Sequence, residues 1–278
     1  MAEIQAVTGL ADIDNARIYY EIAGQGQPIV MIHAGVADSR QWNNEFKHFT
    51  AGYRVMRYDM RGFGKSEPVE GDFSHLQDLT ALLDTLQINQ PAIIMGCSMG
   101  GSLALDFALT QPSTVCALIL LGAVPGGLHL DEATPAKLVQ AEAAYHANEG
   151  NLDMLAELST QVWFDGMGRE PAQVDPAMRS LAYEMARTSL AHDAKRLGKR
   201  LPDSTIPAVQ HLSEMAVPAL IIVGEHDTPF LLAAADFMQK ELPSAQKVIM
   251  DGAAHLANMD HPHELRRIVS AFLKQVAR

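Results

Sequence analysis

The feature that most constrains this chain is a serine framed by small residues, Gly96-Cys97-Ser98-Met99-Gly100, between an apolar run and a segment with helical periodicity. This pattern indicates a sharp strand-to-helix turn with strained backbone dihedrals at the serine. Glycines two residues before and after the serine leave room for such a turn. The sequence therefore predicts that Ser98 is a nucleophile at the end of a buried strand, where the following helix stabilises negative charge.

Composition sets the size of the fold and the class of partner. A chain of 278 residues, 48% hydrophobic and 19% charged, can bury a large core, which favours one large domain with an insertion. The formal charge of −12 disfavours nucleic acid or an anionic membrane surface as a partner. No stretch reaches the length of a membrane span, and residues 1–5 show neither a basic start nor an apolar run. We expect a cytoplasmic monomer or small homo-oligomer that acts on a small molecule.

The two cysteines, Cys97 and Cys116, both lie in apolar surroundings. Two buried thiols are therefore expected rather than a disulfide. Metal-ligand spacing is absent, so the sequence predicts neither a metal nor another cofactor.

Apolar runs bounded by turn residues alternate with helical stretches along most of the chain. Such alternation predicts a mostly parallel sheet of eight strands with helices on both faces and an antiparallel edge at the start. The predicted strands are 5–14, 16–22, 29–33, 53–58, 92–96, 115–121, 219–223 and 247–250, and the predicted helices are 41–49, 73–86, 102–109, 230–241 and 262–276.

Residues 126–210 break this alternation, because they show helical pattern punctuated by prolines and no convincing strand. We interpret them as a helical cap inserted into a core domain formed by residues 1–125 and 211–278. Met, Trp and Phe side chains in the segment, including Trp163 and Phe164, suit an adaptable apolar wall. Ordinary packing between the cap helices explains the same residues.

Polar residues that follow the strands converge at one edge of a parallel sheet. A serine hydroxyl needs an imidazole to accept its proton, and the imidazole needs a carboxylate to orient it. Ser98, Asp227 and His255 can fill these roles, in the chain order that the Gly-x-Ser-x-Gly turn predicts. The alternatives left open are Glu225 and Asp251 for the acid, and His226, His261 and His263 for the base.

The negative charge that develops on a substrate oxygen needs backbone N–H donors. Met99, which directly follows the nucleophile, should supply one of them. The loop after His33 should supply the other, from Gly35, with Val36 as the alternative. His33 itself is expected to orient this loop, and Asp59 and Arg61 to brace the neighbouring one.

Five motifs together resemble the α/β-hydrolase superfamily, and the likeness runs nearly end to end: His33-Ala34-Gly35, Tyr58-Asp59-Met60-Arg61-Gly62-Phe63-Gly64-Lys65-Ser66, Gly96-Cys97-Ser98-Met99-Gly100-Gly101, Gly224-Glu225-His226-Asp227 and Ala254-His255-Leu256-Ala257-Asn258. Haloalkane dehalogenases and epoxide hydrolases resemble this chain but carry aspartate at the position of Ser98. Carbon–carbon bond hydrolases usually have tryptophan at the position of Leu256. The likeness is greater to 3-oxoadipate enol-lactonases and related bacterial carboxylesterases.

This resemblance implies a serine hydrolase that cleaves carboxylic esters, including lactones such as acyl-homoserine lactones or enol-lactones, through an acyl-enzyme. The alternatives are a carbon–carbon bond hydrolase of aromatic degradation and a ligand receptor that keeps the triad but turns over slowly. The expected substrate-binding residues are Val36, Trp163, Phe164 and Leu256. A substrate bearing a carboxylate would call for basic residues, for which Arg169, Arg179 and Arg187 are candidates.

Overall fold

The computed structural model describes residues 5–276. Eight of its strands form one sheet: β1 (Val7–Ile13), β2 (Ala16–Ala23), β3 (Pro28–Ile32), β4 (Arg54–Tyr58), β6 (Ala92–Cys97), β7 (Val115–Leu121), β9 (Ala219–Gly224) and β10 (Ala245–Met250). Their order is β1-β2-β4-β3-β6-β7-β9-β10. β2 pairs antiparallel with β1 and β4, and the other neighbours are parallel. The predicted eight-stranded, mostly parallel sheet is confirmed.

Helices cover both faces of this sheet, because its central strands are apolar on both sides. Every residue of β3, β6 and β9 is buried. Neighbouring residues alternate between two hydrophobic clusters, so that Ile94 packs on one face and Met95 on the other. The helices outside the insertion are α1 (Asn43–Phe49), α2 (His75–Thr85), α3 (Met99–Thr110), α7 (Pro229–Glu241), α8 (Ala257–Asp260) and α9 (Pro262–Val276).

The helices α1 and α2 each begin two residues later than predicted, whereas α3 begins three residues earlier and α7 one residue earlier. α1 is preceded by a separate 3₁₀ turn at Ser39–Trp42, so the predicted helix 41–49 is divided. α2 begins at His75 because the Ser74 hydroxyl accepts hydrogen bonds from the N–H groups of Leu76 and Gln77 and caps the helix there. The prediction that Phe73 starts this helix is wrong.

Residues 126–210 lie between β7 and β9 and contain three α-helices, α4 (Ala136–Ala147), α5 (Leu152–Thr160) and α6 (Pro176–Asp193). They also contain a short strand, β8 (Lys199–Arg200), which pairs with β5 (Asp72–Phe73) outside the main sheet. The expectation of no strand here is wrong, because a pair this short has no hydrophobic periodicity to read. The division into a core and a cap domain stays a prediction.

Within residues 5–276, no helix is both long enough and apolar enough to pass through a membrane. The two cysteines are free thiols. Cys97 is buried, and burial raises its pKa to about 12, whereas Cys116 is half-buried rather than buried as expected.

A buried ion pair braces the loop that follows β4. Arg61 donates from Nε and Nη2 to the two carboxylate oxygens of Asp78, at 2.9 and 2.7 Å. The remaining end of its guanidinium donates to Asn15 Oδ1 at 2.7 Å. Asp59 supports the same loop by accepting from the N–H groups of Ser39 and Lys65, each at 2.7 Å. The loop is thus held by buried charges whose hydrogen bonds are satisfied.

Replacing Asp78 with alanine should lower the free energy of unfolding by about 3–5 kcal/mol, because it leaves the Arg61 charge buried without its partner. Urea unfolding at neutral pH would measure the change. Asp153→Ala is the control, since it removes the exposed partner of Arg187 and should leave the midpoint nearly unchanged. Equal losses in the two variants would contradict the structural role of the Arg61–Asp78 pair.

Candidate active site

Ser98 lies at the turn between β6 and α3, with φ 52° and ψ −116°. Its N–H donates to the carbonyl of Leu121 at 2.8 Å, which ties the turn to the end of β7. A Cβ on Gly96 would lie 2.2 Å from the Gly100 carbonyl oxygen, and one on Gly100 would lie 2.4 Å from that of Ile32. The glycines are therefore required by backbone contact, and they allow the strained serine that the motif predicts.

Asp227 and His255 meet at the same edge of the sheet, after β9 and β10 respectively. The Nδ1 of His255 is 2.9 Å from Oδ2 of Asp227, and both side chains are buried. A Cβ on Gly122 would lie 2.8 Å from the His255 ring, so the ring rests against the residue that follows Leu121. Because Leu121 is also the partner of Ser98, the structure brings all three predicted side chains to neighbouring strand ends.

The alternative acids and bases lie in other environments. Glu225 is exposed and accepts from the Gly252 N–H at 2.8 Å, and Asp251 is exposed as well. His226 has Nδ1 3.0 Å from the carbonyl of Met167 in the insertion. His261 and His263 lie at the start of α9, where they approach Asp260 and Arg266. The buried carboxylate–imidazole contact among these candidates is that of Asp227 with His255.

Gly35 lies directly against the first residue of α3. A Cβ on Gly35 would be 3.5 Å from Met99 Sδ. The Met99 N–H is the first of its helix and has no acceptor within that helix. In the loop before Gly35, His33 Nε2 accepts from the Met60 N–H at 3.0 Å, which leaves Nδ1 to donate to the Ala34 carbonyl at 2.8 Å. Burial lowers the pKa of His33, in keeping with this neutral tautomer.

A buried polar chain, which the sequence did not predict, joins this loop to the segment after His255. The Ala34 N–H donates to Gln41 Oε1 at 2.9 Å, Gln41 Nε2 donates to Asn258 Oδ1 at 3.0 Å, and Asn258 Nδ2 donates to Glu45 Oε2 at 3.2 Å. None of these contacts is indicated by a local sequence pattern, and Asn258 is more than 200 positions away from Gln41 and Glu45 in the sequence. The chain links the Gly35 loop mechanically to the His255 loop.

A cavity of about 1400 Å³ opens beside the turn, between the sheet edge and the insertion. Its walls include Gly35, Val36, Met99 and Trp163. The Trp163 ring lies 4.8 Å from the His255 ring. Ser98 and His255 are not wall residues themselves, but each adjoins one. Val36 and Trp163 are thus placed where a substrate could contact them.

Phe164 and Leu256 occupy different positions from those expected of substrate-binding residues. Both are buried, and neither is on the wall of the large cavity. With Val36 and Trp163 they border a small gap behind it. The N–H of Leu256 donates to the Trp163 carbonyl at 3.3 Å, which joins the insertion to the His255 loop. Phe164 and Leu256 therefore pack inside the protein and do not line the large cavity, where contact with substrate was expected.

The three arginines expected for a carboxylate-bearing substrate are all paired with acids of the protein. Arg169 contacts Asp260 at 2.7 Å, Arg187 contacts Asp153 at 2.5 Å, and Arg179 contacts both Glu157 and Asp165, at 2.6 and 2.9 Å. None of the three lies on the cavity wall. They hold the insertion together and fasten it to the core, so the structure does not support these three candidates for binding a substrate carboxylate.

Comparison with known proteins assigns the family. The family model for the alpha/beta hydrolase fold matches residues 27–262. The chain belongs to the alpha/beta hydrolase fold family. It is 30% identical to a 2-hydroxy-6-oxononadienedioate/2-hydroxy-6-oxononatrienedioate hydrolase of Paraburkholderia xenovorans (strain LB400), over 92% of this chain and 90% of that protein.

Solved structures of this alpha/beta hydrolase fold include two proteins of different chemistry. A bromoperoxidase from Bacillus anthracis superposes with a TM-score of 0.77 and is 27% identical, covering 97% of this chain and 100% of its own. An enol-lactonase from Burkholderia xenovorans LB400 has a TM-score of 0.74 and 23% identity, over 95% and 99% of the two chains. The protein is therefore a hydrolase-fold enzyme whose chemistry must be argued from its site.

Gly100→Ala should abolish most of the activity, because the added methyl group would collide with the backbone of β3 and displace the Ser98 turn. Gly52→Ala is a matched control, since a Cβ there meets nothing within 4 Å. We expect a loss of about 100-fold or more in the first variant and none in the second. Steady-state kinetics on an activated ester would measure both, and normal activity of Gly100→Ala would contradict the tight turn.

Glu45 should make stability depend on pH. Burial raises its pKa to about 8, from the ordinary 4.5, so the carboxyl is neutral in the folded protein at pH 7. Because the folded state holds this proton more tightly, its contribution to stability is complete below about pH 4.5 and is lost as the pH rises through about 8. Urea unfolding between these limits should show a steeper loss for the wild type than for Glu45→Gln. Parallel curves would contradict a neutral Glu45.

Proposed function

We propose that this enzyme hydrolyses carboxylic esters, including lactones, with Ser98 as the nucleophile, His255 as the base and Asp227 as the acid that orients it. The observation that supports the proposal is the buried 2.9 Å contact of Asp227 with His255, on strand ends adjoining Ser98. A hydroxyl in this setting is activated when the imidazole accepts its proton. The turn geometry at Ser98 favours the same role.

In the proposed reaction, Ser98 Oγ attacks the ester carbonyl and its proton passes to His255 Nε2. Nδ1–H of His255 stays bonded to Asp227, which stabilises the imidazolium. The N–H groups of Gly35 and Met99 would donate hydrogen bonds to the carbonyl oxygen and stabilise its negative charge. His255 then returns the proton to the leaving alcohol, and water hydrolyses the acyl-enzyme by the same steps. In a lactone the alcohol stays attached to the acyl group, so the same residues serve both substrates.

The test is the hydrolysis of p-nitrophenyl esters of graded acyl length beside lactones, including acyl-homoserine lactones. Ser98→Ala should lower kcat/KM by about 10⁴-fold, and Asp227→Asn should cause a loss of similar order. Glu225→Gln and Asp251→Asn are matched controls, because these exposed acids do not contact His255, and both should keep most of the activity. If either control lost activity while Asp227→Asn kept it, the acid would be wrongly assigned.

A second candidate is a carbon–carbon bond hydrolase, because the curated relative at 30% identity is a hydrolase of 2-hydroxy-6-oxononadienedioate. Both reactions can use the same serine, histidine and aspartate. The residue after the histidine is Leu256, which is buried in packing rather than on the cavity wall. Turnover of a 2-hydroxy-6-oxo-dienoate far above the best ester would favour this candidate. Tight binding of an ester, lactone or dienoate, with no turnover of any of these compounds, would favour a ligand receptor.

A further inference from the structure

Arg200 lies on the cavity wall next to the residue that follows the nucleophile. Its Nη1 is 2.9 Å from Met99 Sδ, and 40% of its side chain is exposed. Arg61 and His75 belong to the same wall. The cavity wall therefore has a guanidinium group in contact with the side chain of Met99, the residue directly after Ser98.

The position of Arg200 is determined from two directions. Its backbone belongs to β8, which is attached to β5 by hydrogen bonds from the Lys199 N–H to the Gly71 carbonyl at 3.0 Å and from the Leu201 N–H to the Phe73 carbonyl at 2.8 Å. Its Nη2 donates to Asp203. A guanidinium oriented in advance loses little entropy when it binds a ligand.

Asp203 is itself anchored at the start of α2. Its Oδ1 accepts from the Ser74 hydroxyl and from the Leu76 N–H, both at 3.1 Å. The carboxylate is nearly inaccessible, with a side-chain exposure of 5%. One end of the Arg200 guanidinium is thus held by a buried acid, while the other end faces the cavity beside Met99.

The exposed end of Arg200 lacks a strong acceptor. Over residues 5–276, Nη1 contacts the Met99 thioether, and sulfur of this kind is a weak hydrogen-bond acceptor. Arg61, on the same wall, in contrast donates from all three guanidinium nitrogens to oxygen acceptors of Asp78 and Asn15. Nδ1 of the buried His75 has no hydrogen-bond partner in the described chain either. Arg200 Nη1 therefore leaves donor capacity at this point of the wall.

We propose that Arg200 binds a carboxylate of the substrate, so that the enzyme prefers esters or lactones that carry one carboxylate close to the scissile bond. A carboxylate would replace the thioether as the acceptor of Nη1 and form a charge-assisted hydrogen bond. The acids Glu142, Glu149 and Asp193 on the cavity wall disfavour a second carboxylate beside them. This inference rests on the proposed ester hydrolysis and adds the charge of the substrate.

The test compares matched pairs of substrates with the wild type and Arg200→Gln. For a carboxylate on the acyl side, the pair is p-nitrophenyl hydrogen glutarate and p-nitrophenyl methyl glutarate. For one on the leaving-group side, it is 4-acetoxybenzoate and its methyl ester. The wild type should prefer the acid of one pair in kcat/KM, and Arg200→Gln should reduce that preference by about 10- to 100-fold, because a hydrogen bond to a charged group is lost. The pair that responds identifies the side of the ester that carries the charge.

Two further variants distinguish carboxylate binding by Arg200 from a merely structural role of this residue. Arg187→Gln removes another exposed arginine of the insertion, away from the cavity wall, and should leave the preference as it is. Arg200→Lys keeps the charge without the planar fork and should retain part of the preference. Equal losses of Arg200→Gln on the acid and its methyl ester would show a merely structural role and overturn the inference. A preference that survives Arg200→Gln would overturn it as well.

Failure of the ester assay can be distinguished from failure of this inference. If the wild type hydrolyses none of the four esters above the rate of Ser98→Ala, the proposed function fails. Calorimetric binding of monomethyl glutarate to the wild type and Arg200→Gln then decides the inference by itself. A dissociation constant raised about 10-fold or more in the variant would support the carboxylate site, and unchanged or absent binding would overturn it.

Discussion

The site depends on how closely the backbone of α3 approaches β3 and β6. At Gly96 and Gly100 the distances are too short for any side chain, and carbonyl oxygens of the neighbouring backbone occupy the space where a Cβ would stand. This contact bends the chain so sharply that Ser98 adopts a positive φ. It also places the free N–H of Met99 at the start of the helix. The proposed nucleophile and the proposed charge-stabilising donor thus depend on one packing constraint.

The loops around this turn are held by buried polar contacts rather than by hydrophobic packing alone. Gln41, Asn258 and Glu45 join the Gly35 loop to the segment after His255. Arg169 donates to the carbonyls of Phe164 and Gly252 and thereby fastens the insertion to the loop just before His255. Buried polar groups are costly unless they are paired, so the hydrogen bonds of this chain admit few alternative arrangements, although Glu45 Oε1 has no partner among residues 5–276. We infer that this restriction keeps the proposed catalytic groups in place without a bound substrate.

Much of the fold could be predicted from the sequence because strands buried on both faces are continuous apolar runs. The strands β3, β4, β6, β7 and β9 are runs of this kind, whereas β1, β2 and β10 are partly exposed, and the turn at Ser98 is indicated by its flanking glycines. The pair β5 and β8 was missed, because two-residue strands have no periodicity. Phe164 and Leu256 were expected to contact substrate, but an apolar residue near a site has the same appearance in sequence whether it faces a cavity or the core. The sequence likewise leaves open whether Arg169, Arg179 and Arg187 face a cavity or pair with acids of the protein.

The sequence by itself determined the fold family, the strained turn and the residue types able to perform nucleophilic catalysis, because each depends on neighbours a few positions apart. The sequence favoured Asp227 over Glu225 and Asp251 as the acid, and the tertiary structure shows the contact: Asp227 is buried against His255, whereas Glu225 is exposed. It also decided which arginine lies beside Met99: Arg169, Arg179 and Arg187 are paired with acids away from the cavity wall, whereas Arg200 is brought to Met99 by the pairing of β8 with β5. Charge pairing and burial are properties of contacts between distant segments, and a single sequence does not encode them in any local pattern.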